Sequence, residues 1–237
     1  MENYISLVKR LIDEDHTVIV IDNSDITKPC SPMMEAISDV RDGSIGEIKK
    51  GYYTVEAAVL SKGKKMPVTV YEKVFSAAEK GFISKTHENL CCLKALSEHF
   101  SKTCVRTLDR GFDGNEYYKY FLRNNEKFVI RAKKNQNVIY NGKTQNIMEV
   151  AERYKGNYRM DFMDKKGKKT ECKISFIPVS LCEFPTRELV LAAVYGFGKQ
   201  PMLLTNLENT EKKKLCLITA KIYLMRWRIE EYFKFKK

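Results

Sequence analysis

The chain has no apolar run approaching the roughly 20 residues needed to cross a bilayer, and its N-terminus lacks the apolar stretch of a secretion signal. Its seven cysteines are odd in number and never spaced C-x2-C, which argues against both a zinc site and a disulfide framework. That usage suits a reducing, cytoplasmic setting without a membrane partner. The stretch GSIGEIKKG (Gly43 to Gly51) lacks the Gly-Lys-Ser/Thr of a P-loop, so nucleotide-driven chemistry has no visible seat. With only three histidines (His16, His87, His99), scattered along the chain, imidazole catalysis has little to work with. Low-complexity linkers and internal repeats are absent as well.

What is present is enough for a core and an excess of positive charge. At 237 residues and 43% hydrophobic content the chain can form one large domain or two small ones. Residues 1–110 balance 16 Lys/Arg against 16 Asp/Glu, whereas residues 111–237 hold 26 against 14, so the net charge of +12 belongs to the second half. Clusters at Lys133-Lys134, Lys165-Lys166, Lys168-Lys169 and Lys212 to Lys214 suit a polyanionic partner, because lysines placed on backbone phosphates release counterions.

The C-terminal YLMRWRIEEYFKFKK carries the pattern Y-x2-R-x3-E-x6-K at Tyr223, Arg226, Glu230 and Lys237. On a helix these four fall within about 60° of one another. One narrow face thus gathers a phenol, a guanidinium, a carboxylate and an ammonium, while Ile222, Met225, Ile229, Tyr232 and Phe233 form an adjacent apolar flank to bury. The polar stripe is expected to stay available for phosphate. Trp227, the sole tryptophan, suits either base stacking or the core.

Two acids stand at expected strand ends. In TVIVIDNSDITKP the β-branched run from Thr17 to Ile21 predicts a buried strand ending at Asp22, with Asp25 beyond it on a turn. In TCVRTLDRGFDG a strand over 103–108 ends at Asp109 before the chain turns into a new helix. Strand ends at one edge of an α/β sheet are where such folds hold ligands. Around these acids the pattern predicts an N-terminal amphipathic helix, two further strands near 52–60 and 66–72 forming a hairpin, helices over 86–100 and 115–123, and a strand over 128–132 closed by Arg131, which would bind DNA or cap that edge. Short alternating runs such as ECKISFIPV and ELVLAAVYG then replace the helical periodicity.

Taken together, Asp22, Asp109, Glu230 and the last helix resemble the DDE transposases, in particular the cut-and-paste insertion-sequence group that carries a Y-R-E-K signature. The resemblance also covers DNSDITKP, VRDGSIGEIKKGYYT, LDRGFDG, FVIRAKKN and PMLLTNL, nearly the whole chain. It implies an α/β fold with a ribonuclease H-like mixed sheet flanked by helices and a β-rich insertion before the last catalytic helix. Residues 1–132 would form the first part of the core, 133–198 the insertion that helps hold the transposon end, and 199–237 the rest of the core.

The implied activity is metal-dependent DNA cleavage and strand transfer at transposon ends. Asp22, Asp109 and Glu230 would be catalytic and would hold two Mg²⁺ ions, with Mn²⁺ able to substitute. Hard carboxylate oxygens suit such ions, and a two-ion site activates the attacking oxygen while stabilising the leaving one. Tyr223, Arg226, Lys237, Arg131 and Trp227 would contact DNA. The partners would be the transposon ends and the target, with a dimer in the synaptic complex of a full-length protein. Only 21 residues precede Asp22 and none follow Lys237, so a truncated copy is expected. A non-catalytic DNA-binding remnant and a general ribonuclease H-like nuclease remain the alternatives.

Overall fold

The computed structural model describes residues 2–28, 30–31, 33–42, 45–61, 67–163, 169–196 and 201–226. They fall into two compact units, one within 1–104 and the other over Val105–Arg226.

The first unit is an antiparallel sheet with helices. Helix α1 (Glu2–Arg10) buries Ile5 and Val8 and leaves Tyr4 and Leu7 exposed. Thr17 to Ile21 are all buried in strand β1 (Thr17–Thr27). Strand β2 (Ser38–Arg41) and strand β3 (Ile48–Ser61) follow, then strand β4 (Val68–Phe75). β1 pairs along its whole length with β3, from Thr17 opposite Ser61 to Thr27 opposite Gly51, and the other edge of β3 pairs with β2 and then β4. Gly51 is required at the β1 crossing, because a Cβ there would lie 2.2 Å from the Ile26 carbonyl oxygen. Helix α2 (Lys85–His99), capped by the Ser84 hydroxyl accepting from the His87 amide, packs Leu93 and Leu96 into the core.

Two sequence expectations change here. β1 does not end at Asp22 but runs on to Thr27, because the first half of β3 supplies a ladder for Asn23 to Thr27 even though their side chains are no longer fully buried. The expected turn position of Asp25 is therefore a strand position. β2 has no counterpart among the expected strands, since a four-residue edge strand with two exposed side chains carries little periodicity. The expected hairpin is present as β3 and β4.

In the second unit, strand β5 (Val105–Leu108) leads through a short 3₁₀ turn at Arg110–Phe112 into helix α3 (Asn115–Asn124), which Asn125 ends in the left-handed conformation at φ 53°. Strand β6 (Phe128–Arg131) then lies parallel to β5. Strands β7 (Asn137–Tyr140) and β8 (Lys143–Asn146) form a hairpin whose two turn residues, Asn141 and Gly142, have the positive φ that a two-residue hairpin favours. Helix α4 (Ile147–Glu152) precedes strands β9 (Tyr158–Met163), β10 (Lys169–Leu181), β11 (Phe184–Tyr195) and β12 (Met202–Thr205), and helix α5 (Lys212–Met225) completes the unit. The strand order is β5-β6-β12-β11-β10-β7-β8, with β9 on β10. The segment 133–198 is β-rich as expected, and β11 joins it to the rest of the sheet through β12.

The sheet is mixed and flanked by helices, and the chain order of three long strands, helix, strand, helix, strand is the expected ribonuclease H-like one. The TNL of PMLLTNL acts as a fastener: Asn206 accepts from the Phe128 amide and donates to the Glu126 carbonyl, while the Thr205 hydroxyl donates to the Phe128 carbonyl. Beneath it Arg106 on β5 lies 3.5 Å from Glu126, both essentially without solvent contact. No helix among the described residues is long and apolar enough to cross a membrane.

Candidate active site

The parallel register of β5 and β6 sets Leu108 beside Ile130, so the residues that follow them, Asp109 and Arg131, emerge together at the strand ends. Asp109 is extended (φ −84°, ψ 176°); its backbone carbonyl accepts from the Phe112 amide at 2.9 Å, while its side chain makes no N-cap hydrogen bond to the turn after it. Its carboxylate instead meets α5. The Tyr223 hydroxyl donates to Asp109 Oδ1 at 3.1 Å, and Arg131 Nη1 lies 3.4 Å from the Tyr223 oxygen and 3.7 Å from Asp109 Oδ1. Arg226 Nη2 stands 3.8 Å from the other oxygen, Oδ2.

Burial pushes the Asp109 carboxyl upward, but the Arg226 guanidinium, the Arg110 amide, Arg131 and the Tyr223 hydroxyl together outweigh it and hold the acid below its ordinary range. Burial, followed by the charge of Asp109, pushes Tyr223 up to about 12. At neutral pH the pair is therefore a carboxylate and a protonated phenol, the combination needed for a directed hydrogen bond.

Four of the expected site residues thus converge: Asp109, Arg131, Tyr223 and Arg226. The expectation that the polar stripe stays available is corrected for the two members described, since Tyr223 is 3% and Arg226 5% exposed. Asp109 draws them inward, accepting from the Tyr223 hydroxyl and giving Arg226 a counter-charge. Glu230, Lys237 and Trp227 lie outside the described residues.

Asp22 belongs to the other unit. It marks the point on β1 where full burial ends, and its Oδ1 accepts from the Asn23 amide at 3.0 Å. Opposite it on β3 stands Glu56, and opposite Glu56 on β4 stands Glu72, so three carboxylates form one row across three strands. Asp25, three residues on, projects from the opposite face of the strand, which separates the two candidate acids by geometry rather than by a strand end.

Asp113, to which the sequence assigns no role, anchors the loop that follows Asp109. It accepts from the Tyr118 hydroxyl and from the Lys133 amide, each at 2.6 Å, and its backbone carbonyl accepts from Lys133 Nζ at 2.7 Å. Burial pushes its carboxyl up. The two acids of DRGFDG thus divide the work, one turned toward α5 and one tying the 3₁₀ turn to the end of β6. The spacing Asp-x4-Tyr from Asp113 to Tyr118 was the available signal.

Among the described residues no group of three His, Cys, Asp or Glu side chains is disposed to hold a metal ion. Asp109 is nevertheless an ionised oxygen donor of the kind a hard divalent cation takes, with the guanidiniums of Arg131 and Arg226 beside it as competing cations.

The chain belongs to the transposase DDE domain family, whose model matches residues 13–237. A search of curated proteins returns no match. Among solved structures, a piggyBac transposase in a synaptic complex with hairpin DNA aligns over 92% of this chain and 39% of that one, with 11% identity and a TM-score of 0.51. At that identity the likeness shows the fold alone, and the chain spans about 39% of the piggyBac protein's length. An endonuclease V from Ciona intestinalis, bound to DNA containing an inosine, aligns over 93% of this chain and 84% of that one at 16% identity and a TM-score of 0.36, too low to carry weight.

Proposed function

We propose that this chain is the catalytic domain of a cut-and-paste DDE transposase of the Y-R-E-K insertion-sequence group, cleaving DNA at transposon ends and joining those ends to a target. The observation that carries this reading is the meeting of Tyr223 and Arg226, two members of the pattern, with the acid of LDRGFDG. A charged surface helix with i,i+4 pairs would have no reason to bury a guanidinium against a strand-end aspartate from another motif.

Asp22, Asp109 and Glu230 would hold two Mg²⁺ ions, with Mn²⁺ as a substitute; when bound, such ions activate water or a DNA 3′-hydroxyl and stabilise the leaving oxygen. The protein supplies position and charge. Asp109 is kept ionised by its cationic neighbours, so no proton has to leave before it can act as a ligand. Tyr223 fixes the direction in which one of its oxygens points. Arg226, with Lys237, is assigned to phosphates flanking the scissile one, and the basic excess of residues 111–237 to the DNA backbone. Residues 133–198 are assigned to holding the transposon end, and Trp227 to a flanking base. The partners are DNA and, in synapsis, a second copy.

The test is cleavage of a cognate transposon end by the purified chain with Mg²⁺, followed by transfer to a second duplex. Metal-dependent cleavage with strand transfer is expected. DNA binding without cleavage would leave a binding remnant, and cleavage without transfer a ribonuclease H-like nuclease.

A further inference from the structure

By sequence Arg131 is one more cation among FVIRAKKN, suited to a phosphate or a strand edge. Its surroundings give it another role. The β5–β6 register puts it next to Asp109, with its side chain 25% exposed. Its guanidinium faces an oxygen that is itself 3.1 Å from Asp109 Oδ1.

Hydrogen-bond polarity leaves one arrangement for these three groups. A guanidinium has donors and no acceptor, and an ionised carboxylate has acceptors and no donor. The Tyr223 oxygen must therefore accept from Arg131, and its proton must point to Asp109. A chain of donors aligned this way polarises each link in the same sense, which strengthens the last one. The phenol is 3% exposed, and its hydroxyl is engaged on one side by Arg131 and on the other by Asp109.

We propose that Arg131 is a positioning residue for the second acid, acting through the Tyr223 hydroxyl to hold Asp109 Oδ1 in one orientation, rather than a DNA ligand. The proposal rests on the reading that Asp109 is a catalytic acid. It gives the two guanidiniums at Asp109 different work, since Arg131 shares Oδ1 with the tyrosine whereas Arg226 faces Oδ2.

The test compares Arg131→Gln, Arg131→Lys, Tyr223→Phe and the Arg131→Gln/Tyr223→Phe double variant of the full chain, each first shown to melt cooperatively. Single-turnover cleavage of transposon-end DNA with Mn²⁺ is read at saturating DNA, beside the DNA Kd and its salt slope. Arg131→Gln and Tyr223→Phe each lower the rate about 10- to 100-fold, the usual cost of removing a group that orients a metal ligand. DNA Kd and salt slope stay at the parent values, and Arg131→Lys recovers part of the rate. The double variant falls within about twofold of the worse single, because both changes cut one chain.

A salt slope reduced by about one unit in Arg131→Gln makes Arg131 a phosphate ligand and overturns the proposal. Losses that multiply in the double variant overturn it as well. Should Arg131→Gln fail to fold, Arg131→Met takes its place in the same comparison, since Arg131→Lys keeps the charge that the salt slope reads. In a parent that binds DNA but does not cleave, the proposed function fails, while the salt slope and the Mn²⁺-induced melting shift still decide the place of Arg131; equal changes of that shift in both singles and the double support it, and additive ones refute it.

Discussion

Asp109→Asn is the obvious substitution for silencing the site, and the structure predicts that it also weakens the metal-free protein. Asparagine keeps an oxygen for the Tyr223 hydroxyl but not the charge, and hydrogen bonds to an ionised acceptor are roughly twice as strong as neutral ones, so about 1 kcal/mol goes with that bond. The guanidiniums at 3.7 and 3.8 Å are too far for hydrogen bonds. With the Asp109 side chain 31% exposed, screening limits the two ion pairs to about 1 kcal/mol together. The expected loss is about 2 kcal/mol, or a fall of roughly 4–8 °C in Tm for a chain of this size.

The pH dependence has a definite sign. Because the folded carboxyl lies below its ordinary value, its stabilisation is fully present above the unfolded pKa of about 3.9 and is lost as pH falls through the lower folded value. Urea unfolding in EDTA, followed by circular dichroism, should give a gap between parent and variant that is constant from about pH 7 to pH 5 and closes below about pH 3.9. Equal stabilities at neutral pH, or a gap that widens on acidification, would refute the ion-pair arrangement.

Mn²⁺ added to the parent should raise its Tm, since a ligand that binds only the folded form stabilises it; the same response in Asp109→Asn would remove Asp109 from the metal site. Glu126→Gln should cost about 3–5 kcal/mol by leaving the Arg106 charge buried, whereas Arg106→Met with Glu126→Leu should recover most of it. A denaturation series in which the double variant is the weaker one would contradict that account. Gly51→Ala forces a Cβ against the Ile26 carbonyl and should break the β1–β3 ladder, which loss of amide protection from hydrogen exchange in β1 would reveal; intact protection would mean the strands can separate cheaply. Glu230→Gln should abolish cleavage while leaving DNA affinity equal or higher, whereas Arg226→Ala should lower the salt slope by about one unit. Identical effects of the two on DNA binding would end the proposed division of labour.

The strands legible in the sequence are those whose burial and hydrogen bonding end together. Leu108 is the last residue of β5 in both senses, so the place of Asp109 at a strand end can be read directly. On β1 the two diverge at Asp22: the side chains emerge but the ladder continues, because β3 is long enough to pair residues that hydrophobic patterning no longer marks. Helices α2 and α3 are legible to within one or two residues, since Ser84 and Gly114 announce their starts. The inward turn of Tyr223 and the approach of Arg131 are not legible, because both depend on the packing of α5 across residues distant in the chain. Helical spacing orders side chains around an axis and leaves open which side meets the sheet.

The pairing of β6 also constrains the order in which the protein can be made. Its two neighbours are β5, just upstream, and β12, which reaches the ribosome exit only after the whole of segment 133–198 has been synthesised. Until then the β12-facing edge of β6 is an open hydrogen-bonding edge carrying Val129 and Ile130, the kind of template that recruits foreign strands. A product stopped before Met202 keeps that edge permanently and never receives the Asn206 fastener.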